Sequence, residues 1–189
     1  MSAPVFPAIN CLAFVAYSGA RIVLERFYVT GQPSSPAYAA IAAAGIGSVV
    51  CVRQPGEAVA PPPVPPPPPF DTSEATALEQ LGVSYQNIPI ERTMSQQQFD
   101  VAATEAALAL LNDSVQGPAL IHCSTGDRAS SVFAVLLILA ARLSNADAVT
   151  YATNSLLLAN PNMIALVQGY APPHSMAARI KAATAAFPR

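Results

Sequence analysis

The run Ile121-His122-Cys123-Ser124-Thr125-Gly126-Asp127-Arg128 brings a thiol, a small glycine-containing turn and a guanidinium together within a few positions. Ala119-Leu120-Ile121-His122 before it reads as a buried strand. Ala129–Leu143 after it is apolar nearly all round and reads as a helix buried in the core. A cysteine at the carboxyl end of a central strand stands where open α/β sheets place ligands. The N–H groups of the turn can point inward as an anion nest, and the following helix aims its positive dipole end at the same point. Arg128 adds a planar fork that matches two oxygens of an oxyanion. Each of these features favours the thiolate form of Cys123. The chemistry is a nucleophilic sulfur beneath a cradle for a tetrahedral oxyanion. An inert buried cysteine is the simpler account of Cys123 alone, but not of Cys123 together with Gly126 and Arg128.

The elements that must position this stretch alternate between strand and helix. Phe27–Thr30 is a short β-prone run ending at the turn Gly31-Gln32-Pro33. Ser35 and Pro36 open a helix that runs through the alanines to Ala44. Residues Ser48 to Arg53 read as a second strand. Thr72 or Ser73 caps a helix to Leu81, where Gly82 stops it, and Val83–Ile88 is a third strand. Ser95-Gln96-Gln97-Gln98 is a capping box for a long helix with Phe99, Ala102, Ala106, Leu110 and Leu111 on one face. Beyond Leu143, Ser144 to Asp147 caps a helix to about Ala159, and Pro161 starts another. The expected architecture is α/β: a central, mainly parallel sheet of about four to five strands with helices on both faces.

Composition narrows the function classes. The chain has 189 residues, 52% hydrophobic and 11% charged, so it can build a sizeable core. Nine basic and eleven acidic side chains nearly balance, which argues against a nucleic-acid partner held by a basic footprint. No run of 18 apolar residues occurs, so no membrane span is expected. The apolar stretch Ile9–Tyr17 lacks the flanks of a signal peptide. Cys11, Cys51 and Cys123 have no paired spacing, and two histidines do not assemble with them into a zinc site by pattern. The expectation is free thiols in a reducing, cytoplasmic setting, with no metal and no cofactor. Eight of the 19 prolines fall between Pro61 and Pro69, where polyproline II is the regular option. This reads as a loop insertion over residues 58–70, either a stiff excursion or a docking segment (61–69) for a proline-binding partner. The expected organisation is an extension over 1–26, a catalytic domain over 27–172 and a helical tail over 173–189.

The stretch from Cys123 to Arg128 resembles the active-site loop of the cysteine-dependent tyrosine and dual-specificity phosphatases. It is most similar to a short-loop, bacterial-type branch sometimes fused to sulfur-oxidising metallo-hydrolases. That branch favours Cys-x-x-Gly-x-Arg, as in Cys123, Gly126 and Arg128. The resemblance spans roughly Tyr28 to Tyr170. It takes in Thr30-Gly31-Gln32-Pro33-Ser34, Val49-Val50-Cys51-Val52-Arg53, Asn87-Ile88-Pro89-Ile90 and Ala146-Asp147-Ala148. It implies a phosphatase-like fold and a phosphorylated protein or small molecule as substrate. It further implies attack of Cys123 on phosphorus, a phosphocysteine intermediate, and a phosphate-binding loop from Ser124 through Thr125, Gly126, Asp127 and Arg128 to Ala129.

The same resemblance suggests that His122 orients the cysteine through its ring. It also suggests that a carboxyl about thirty residues earlier serves as general acid. Glu91, which follows Ile88-Pro89-Ile90 and lies 32 residues before Cys123, is the candidate, ahead of Asp100 and Asp113. Three features depart from the family pattern. Four residues, not five, separate Cys123 from Arg128. Ala129 replaces the usual hydroxyl, leaving Ser130 as the residue that would stabilise the departing thiolate. Asp127 places a carboxylate inside an anion loop, unless it faces solvent or caps a helix. Arg53 and Arg92 border the pocket or are ordinary exposed arginines. Cys51 is a core residue or a redox partner of Cys123. A persulfide-carrying sulfurtransferase and a phosphate-binding domain without turnover stand as alternatives.

Overall fold

The computed structural model describes residues 27–57, 72–113 and 117–185, together with the short strands β1 (Ala13–Val15), β2 (Ser18–Gly19) and β3 (Ile22–Val23). The proline-rich segment 61–69 lies outside the described residues, as does most of the stretch before Phe27. Strands β4 (Phe27–Thr30), β5 (Ser48–Cys51), β6 (Ser84–Asn87) and β7 (Ala119–His122) are all parallel, in the order β4-β7-β5-β6. β1 pairs antiparallel on the outside of β4. The mainly parallel five-stranded sheet agrees with the sequence reading, and β7 lies at its centre.

A parallel sheet must be covered on both faces, and the alternation of side chains assigns them. Val29, Val50 and Ile121 face a large core against α3 (Gln96–Asp113) and α4 (Asp127–Ala141). Tyr28, Val49 and Leu120 face a smaller core against α1 (Ala37–Ala43) and α2 (Glu74–Gln80). α4 is buried nearly all round, as its unbroken apolar run requires. It is enclosed further by α5 (Asn145–Ser155), α6 (Pro161–Gln168) and α7 (Ala177–Thr184), the last preceded by a 3-10 turn at His174–Met176.

Local signals account for most boundaries. The capping box forms as the sequence implies: the Ser95 N–H donates to Gln98 Oε1 at 3.0 Å and the Gln98 N–H to Ser95 Oγ at 3.4 Å. Ser144 caps α5 by accepting the Asp147 N–H, and Asn160 caps α6 by accepting from Asn162 and Met163. α1 starts without a side-chain cap, its first turn set by Pro36. α4 begins two residues earlier than its apolar run, at Asp127, because Gly126 in the left-handed region (φ 93°) reverses the chain.

Candidate active site

The carboxyl ends of β4, β7 and β5 converge, and the loop 123–126 leaves the middle one. It is tied to the end of β4 by two backbone hydrogen bonds. The Cys123 N–H donates to the Thr30 carbonyl at 3.4 Å, and the Gln32 N–H donates to the Ser124 carbonyl at 3.1 Å. Within the loop the Gly126 N–H points at Cys123 Sγ, 3.1 Å away. That is an inward-facing amide at a helix start, a donor of the kind that receives anions. A side chain at Gly126 would overlap the end of Leu157, which would have to shift to admit it. Cys123 is fully buried, Ser124 nearly so, and Thr125 lies half-buried at the rim.

Arg128 is the best-anchored side chain of the site. Its Nη1 donates to Glu57 Oε2 at 2.7 Å and to the Ile90 carbonyl at 3.0 Å; its Nη2 donates to Glu57 Oε1 at 2.6 Å and to Ser124 Oγ at 3.3 Å. Its Nε–H is buried and has no hydrogen-bond partner. The guanidinium is therefore gripped end-on by one carboxylate while a side-on donor remains unspent. Burial opposes its charge, but Glu57 and then Cys123 outweigh burial and hold its pKa above the ordinary arginine value. The reciprocal effect on Glu57 is a carboxyl held below its usual range: burial raises it, but the hydrogen bond and charge of Arg128 prevail.

Glu57 was not legible as a site residue. It follows β5 across a short turn and is 71 residues from Arg128 in sequence. The usable signal was its place just beyond the carboxyl end of a parallel strand. Arg53 is not an exposed arginine: it is fully buried beside Glu57 and organises that turn, its Nη1 donating to Gln32 Oε1 at 3.0 Å and its Nη2 to the Glu57 carbonyl at 3.2 Å.

Glu91 is exposed, and its Oε1 accepts from Gln54 Nε2 at 2.9 Å. It directly follows Ile90, whose carbonyl holds Arg128, so its backbone is tied to the loop. Asp100 accepts from Gln96 Nε2 at 2.8 Å on α3. Asp113 interacts with Ser48, at the opposite end of β5 from the loop; burial raises its pKa and Ser48 partly offsets this.

Asp127 neither faces solvent nor caps its own helix. Its Oδ1 accepts the Ala159 N–H at 3.0 Å and the Asn160 N–H at 2.9 Å, and its Oδ2 lies 3.5 Å from Arg92 Nε. The carboxylate is spent on the α5–α6 connection. Ser130, expected near the sulfur, donates to the Gly126 carbonyl at 2.8 Å and accepts the Leu157 N–H at 3.1 Å, so its hydroxyl proton is committed to backbone. Ala129 is buried and offers no hydroxyl.

His122 does not turn toward Cys123. Strand alternation sends its ring to the other face of the sheet, where Cys51 is its register partner on β5. His122 Nε2 lies 3.1 Å from Glu74 Oε1, the first residue of α2. Burial alone would lower the imidazole pKa; the charges of Cys51 and Glu74 prevail and push it up to about 10. Burial raises the Cys51 thiol, and His122 more than reverses this, so Cys51 is lowered. The same alternation separates Cys51 from Cys123, and both are free thiols, so the redox pairing considered from sequence has no geometric support.

No family model matches the sequence. The chain is 28% identical over 119 residues, 63% of its length, to the beta-lactamase hydrolase-like proteins of Xylella fastidiosa strains Temecula1 and 9a5c. It spans about a quarter of the length of these curated relatives. Among solved structures it is similar to TpbA of P. aeruginosa, with a TM-score of 0.57 at 14% identity, covering 96% of this chain and 97% of that one. It is also similar to the core catalytic domain of the PP-IP phosphatase SIW14 of S. cerevisiae, with a TM-score of 0.58 at 14% identity, covering 86% and 90%. A DUF442 phosphatase of Shewanella putrefaciens CN-32 gives 0.51 at 16%, covering 96% and 94%. The fold is the α/β fold of these phosphatases, as the loop motif implied.

Proposed function

We propose that this chain is a cysteine-dependent phosphatase that hydrolyses phosphate monoesters, phosphotyrosine or dual-specificity substrates among them, through a phosphocysteine. The observation that carries the reading is the pairing of Cys123 Sγ, which accepts the Gly126 N–H at 3.1 Å, with a buried Arg128 whose Nε–H is unspent. A thiolate beneath the Gly126 amide and a side-on guanidinium donor suit a phosphoryl group, whose transition state needs charge stabilisation more than covalent chemistry. The structure of TpbA in complex with pTyr, in the same fold, supports that substrate class.

In the first step Cys123 Sγ bonds to phosphorus as the ester P–O bond breaks, and the departing oxygen takes a proton. Glu91 is the donor in this proposal, and it then takes a proton from the water that attacks phosphorus and releases the thiolate. Glu57 is unsuited to that role, because Arg128 keeps it ionised; it positions the guanidinium. With Ser130 committed to backbone, the Gly126 amide and helix α4 stabilise the departing thiolate. A free-thiol nucleophile suits a reducing compartment such as the cytoplasm.

Turnover of an aryl phosphate, compared with cyanide-dependent cleavage of thiosulfate, tests the reading against sulfur transfer. Wild type releases phosphate and Cys123→Ser does not, while that variant still binds inorganic phosphate. Thiosulfate cleavage without phosphate release would overturn the proposal.

A further inference from the structure

On the face of the sheet opposite the nucleophile, Cys51, Glu74 and His122 form a cluster that the phosphatase reading does not use. All three are fully buried, and the Cys51 sulfur, a Glu74 carboxylate oxygen and a His122 ring nitrogen lie within 4.8 Å of one another. The fold builds this group with some rigidity. β5 and β7 pair in parallel with Cys51 opposite His122, so both side chains leave the same face, and the first residue of α2 drops Glu74 onto them. Glu74 Oε2 is accounted for, accepting from Gln32 Nε2 at 3.1 Å. On the cluster's side His122 Nε2 and Glu74 Oε1 face each other at 3.1 Å, an ion-pair contact without an aligned hydrogen bond, and the second ring nitrogen is buried without one as well. Unsatisfied buried polar atoms of this kind call for a partner.

A nucleophilic triad is the other chemistry these residue types suggest, but no substrate reaches a group that is fully enclosed. We propose that Cys51, Glu74 and His122 bind a divalent transition metal of the zinc class. A thiolate, an imidazole and a carboxylate are the mixed soft and borderline donor set that such ions take, and alkaline-earth ions avoid. Tetrahedral zinc bonds to these donors place the ligand atoms roughly 3.3 to 3.8 Å apart, so the widest separation the cluster allows, 4.8 Å, closes by about 1 to 1.5 Å. The cation replaces the proton that the cluster otherwise shares, satisfies Oε1 and a ring nitrogen together, and clamps α2 to the sheet. A site of this kind fills as the chain folds, since its ligands come from three separate elements. The sequence pattern concealed it, because 23 and 48 positions separate the ligands.

Cobalt is the probe, because a thiolate ligand gives it a sulfur-to-metal charge-transfer absorption and tetrahedral coordination gives it intense d–d bands. The chain is refolded with Co²⁺, desalted, and its bound metal counted. The expected result is one cobalt per chain, with both absorptions, displaced by one equivalent of Zn²⁺. The Cys11→Ser, Cys123→Ser double variant leaves Cys51 as the sole thiol and keeps the charge-transfer band; Cys51→Ser loses it; Glu74→Gln binds cobalt at least 10-fold more weakly. Wild type that folds in the presence of cobalt yet retains none would overturn the proposal. So would a charge-transfer band that disappears from the double variant, which would place the metal on the nucleophile or on Cys11. Neither readout depends on phosphate hydrolysis, so this site and the phosphatase reading stand or fall separately.

Discussion

At the scale of single residues, the site turns on how charge is held around Arg128. Glu57 accepts from both terminal nitrogens and fixes the plane of the guanidinium, leaving the Nε–H without a hydrogen-bond partner. Removing the charge while keeping the shape, Glu57→Gln, should lower kcat/KM for an aryl phosphate roughly 10- to 100-fold, the scale of one charge-assisted contact. The same contact has a pH signature. The carboxyl is depressed in the folded state, so its stabilisation is present above the ordinary value of 4.5 and is lost as pH falls below it through the folded value. The stability gap between wild type and Glu57→Gln, measured by denaturant unfolding, should close over that range; a gap that persists unchanged in acid would show that the pair does not act through charge. Glu91 carries a different expectation. If it donates the proton, Glu91→Gln should slow substrates with poor leaving groups by roughly 10²- to 10⁴-fold and spare release of an activated phenolate. A leaving-group-dependent loss in Asp100→Asn, but not in Glu91→Gln, would move the acid to α3.

At the scale of elements, the β7–loop–α4 unit is shaped by one glycine. Gly126 combines a φ of 93° with a site where any Cβ would overlap Leu157. Gly126→Ala should cost about 2 to 5 kcal/mol, adding backbone strain to overpacking. Leu157→Ala in the same chain should recover the overpacking part only, and full recovery of the unfolding midpoint would show that the backbone conformation itself is unstrained. The local part of this architecture was legible from sequence: Cys123, Gly126 and Arg128 are neighbours, the Ser95–Gln98 box is four residues, and strand–helix alternation carries the parallel sheet. What escaped was everything fixed by the order β4-β7-β5-β6. That order sets β5 beside β7 and so brings Glu57 to Arg128, and Cys51 and Glu74 to His122, across long sequence separations. An acidic residue in a turn looks the same in sequence whether it faces water or a buried guanidinium. The direction of His122 escapes for a related reason: the family resemblance suggests a ring that orients Cys123, but adjacent strand residues face opposite sides.

At the scale of the molecule, the helical layer after α4 packs against α3, and Tyr170 is one of its fastenings. Thr104 spends its proton on the Asp100 carbonyl at 2.6 Å, so Tyr170 donates to Thr104 Oγ1 at 2.7 Å. Burial pushes the Tyr170 pKa up to about 12 from 10.0, with Thr104 partly opposing and Asp100 adding to the rise. A raised value means that the folded chain holds this proton more tightly, so the stability is complete below pH 10 and declines as pH rises from 10 to 12. Tyr170→Phe should lose that decline in an alkaline unfolding series, and an unaltered pH slope would contradict the assignment. Among the described residues no helix is long and apolar enough to cross a membrane. The account as a whole rests on phosphorus reaching the sulfur of Cys123. Rapid quenching of the wild-type chain with an activated aryl phosphate, followed by mass spectrometry of the intact protein and its peptides, measures this directly. The prediction is a single added phosphoryl group on the peptide carrying Cys123, formed together with one equivalent of phenolate and absent from Cys123→Ser. Phosphate release with no adduct at any quench time, or an adduct on another residue, would contradict it.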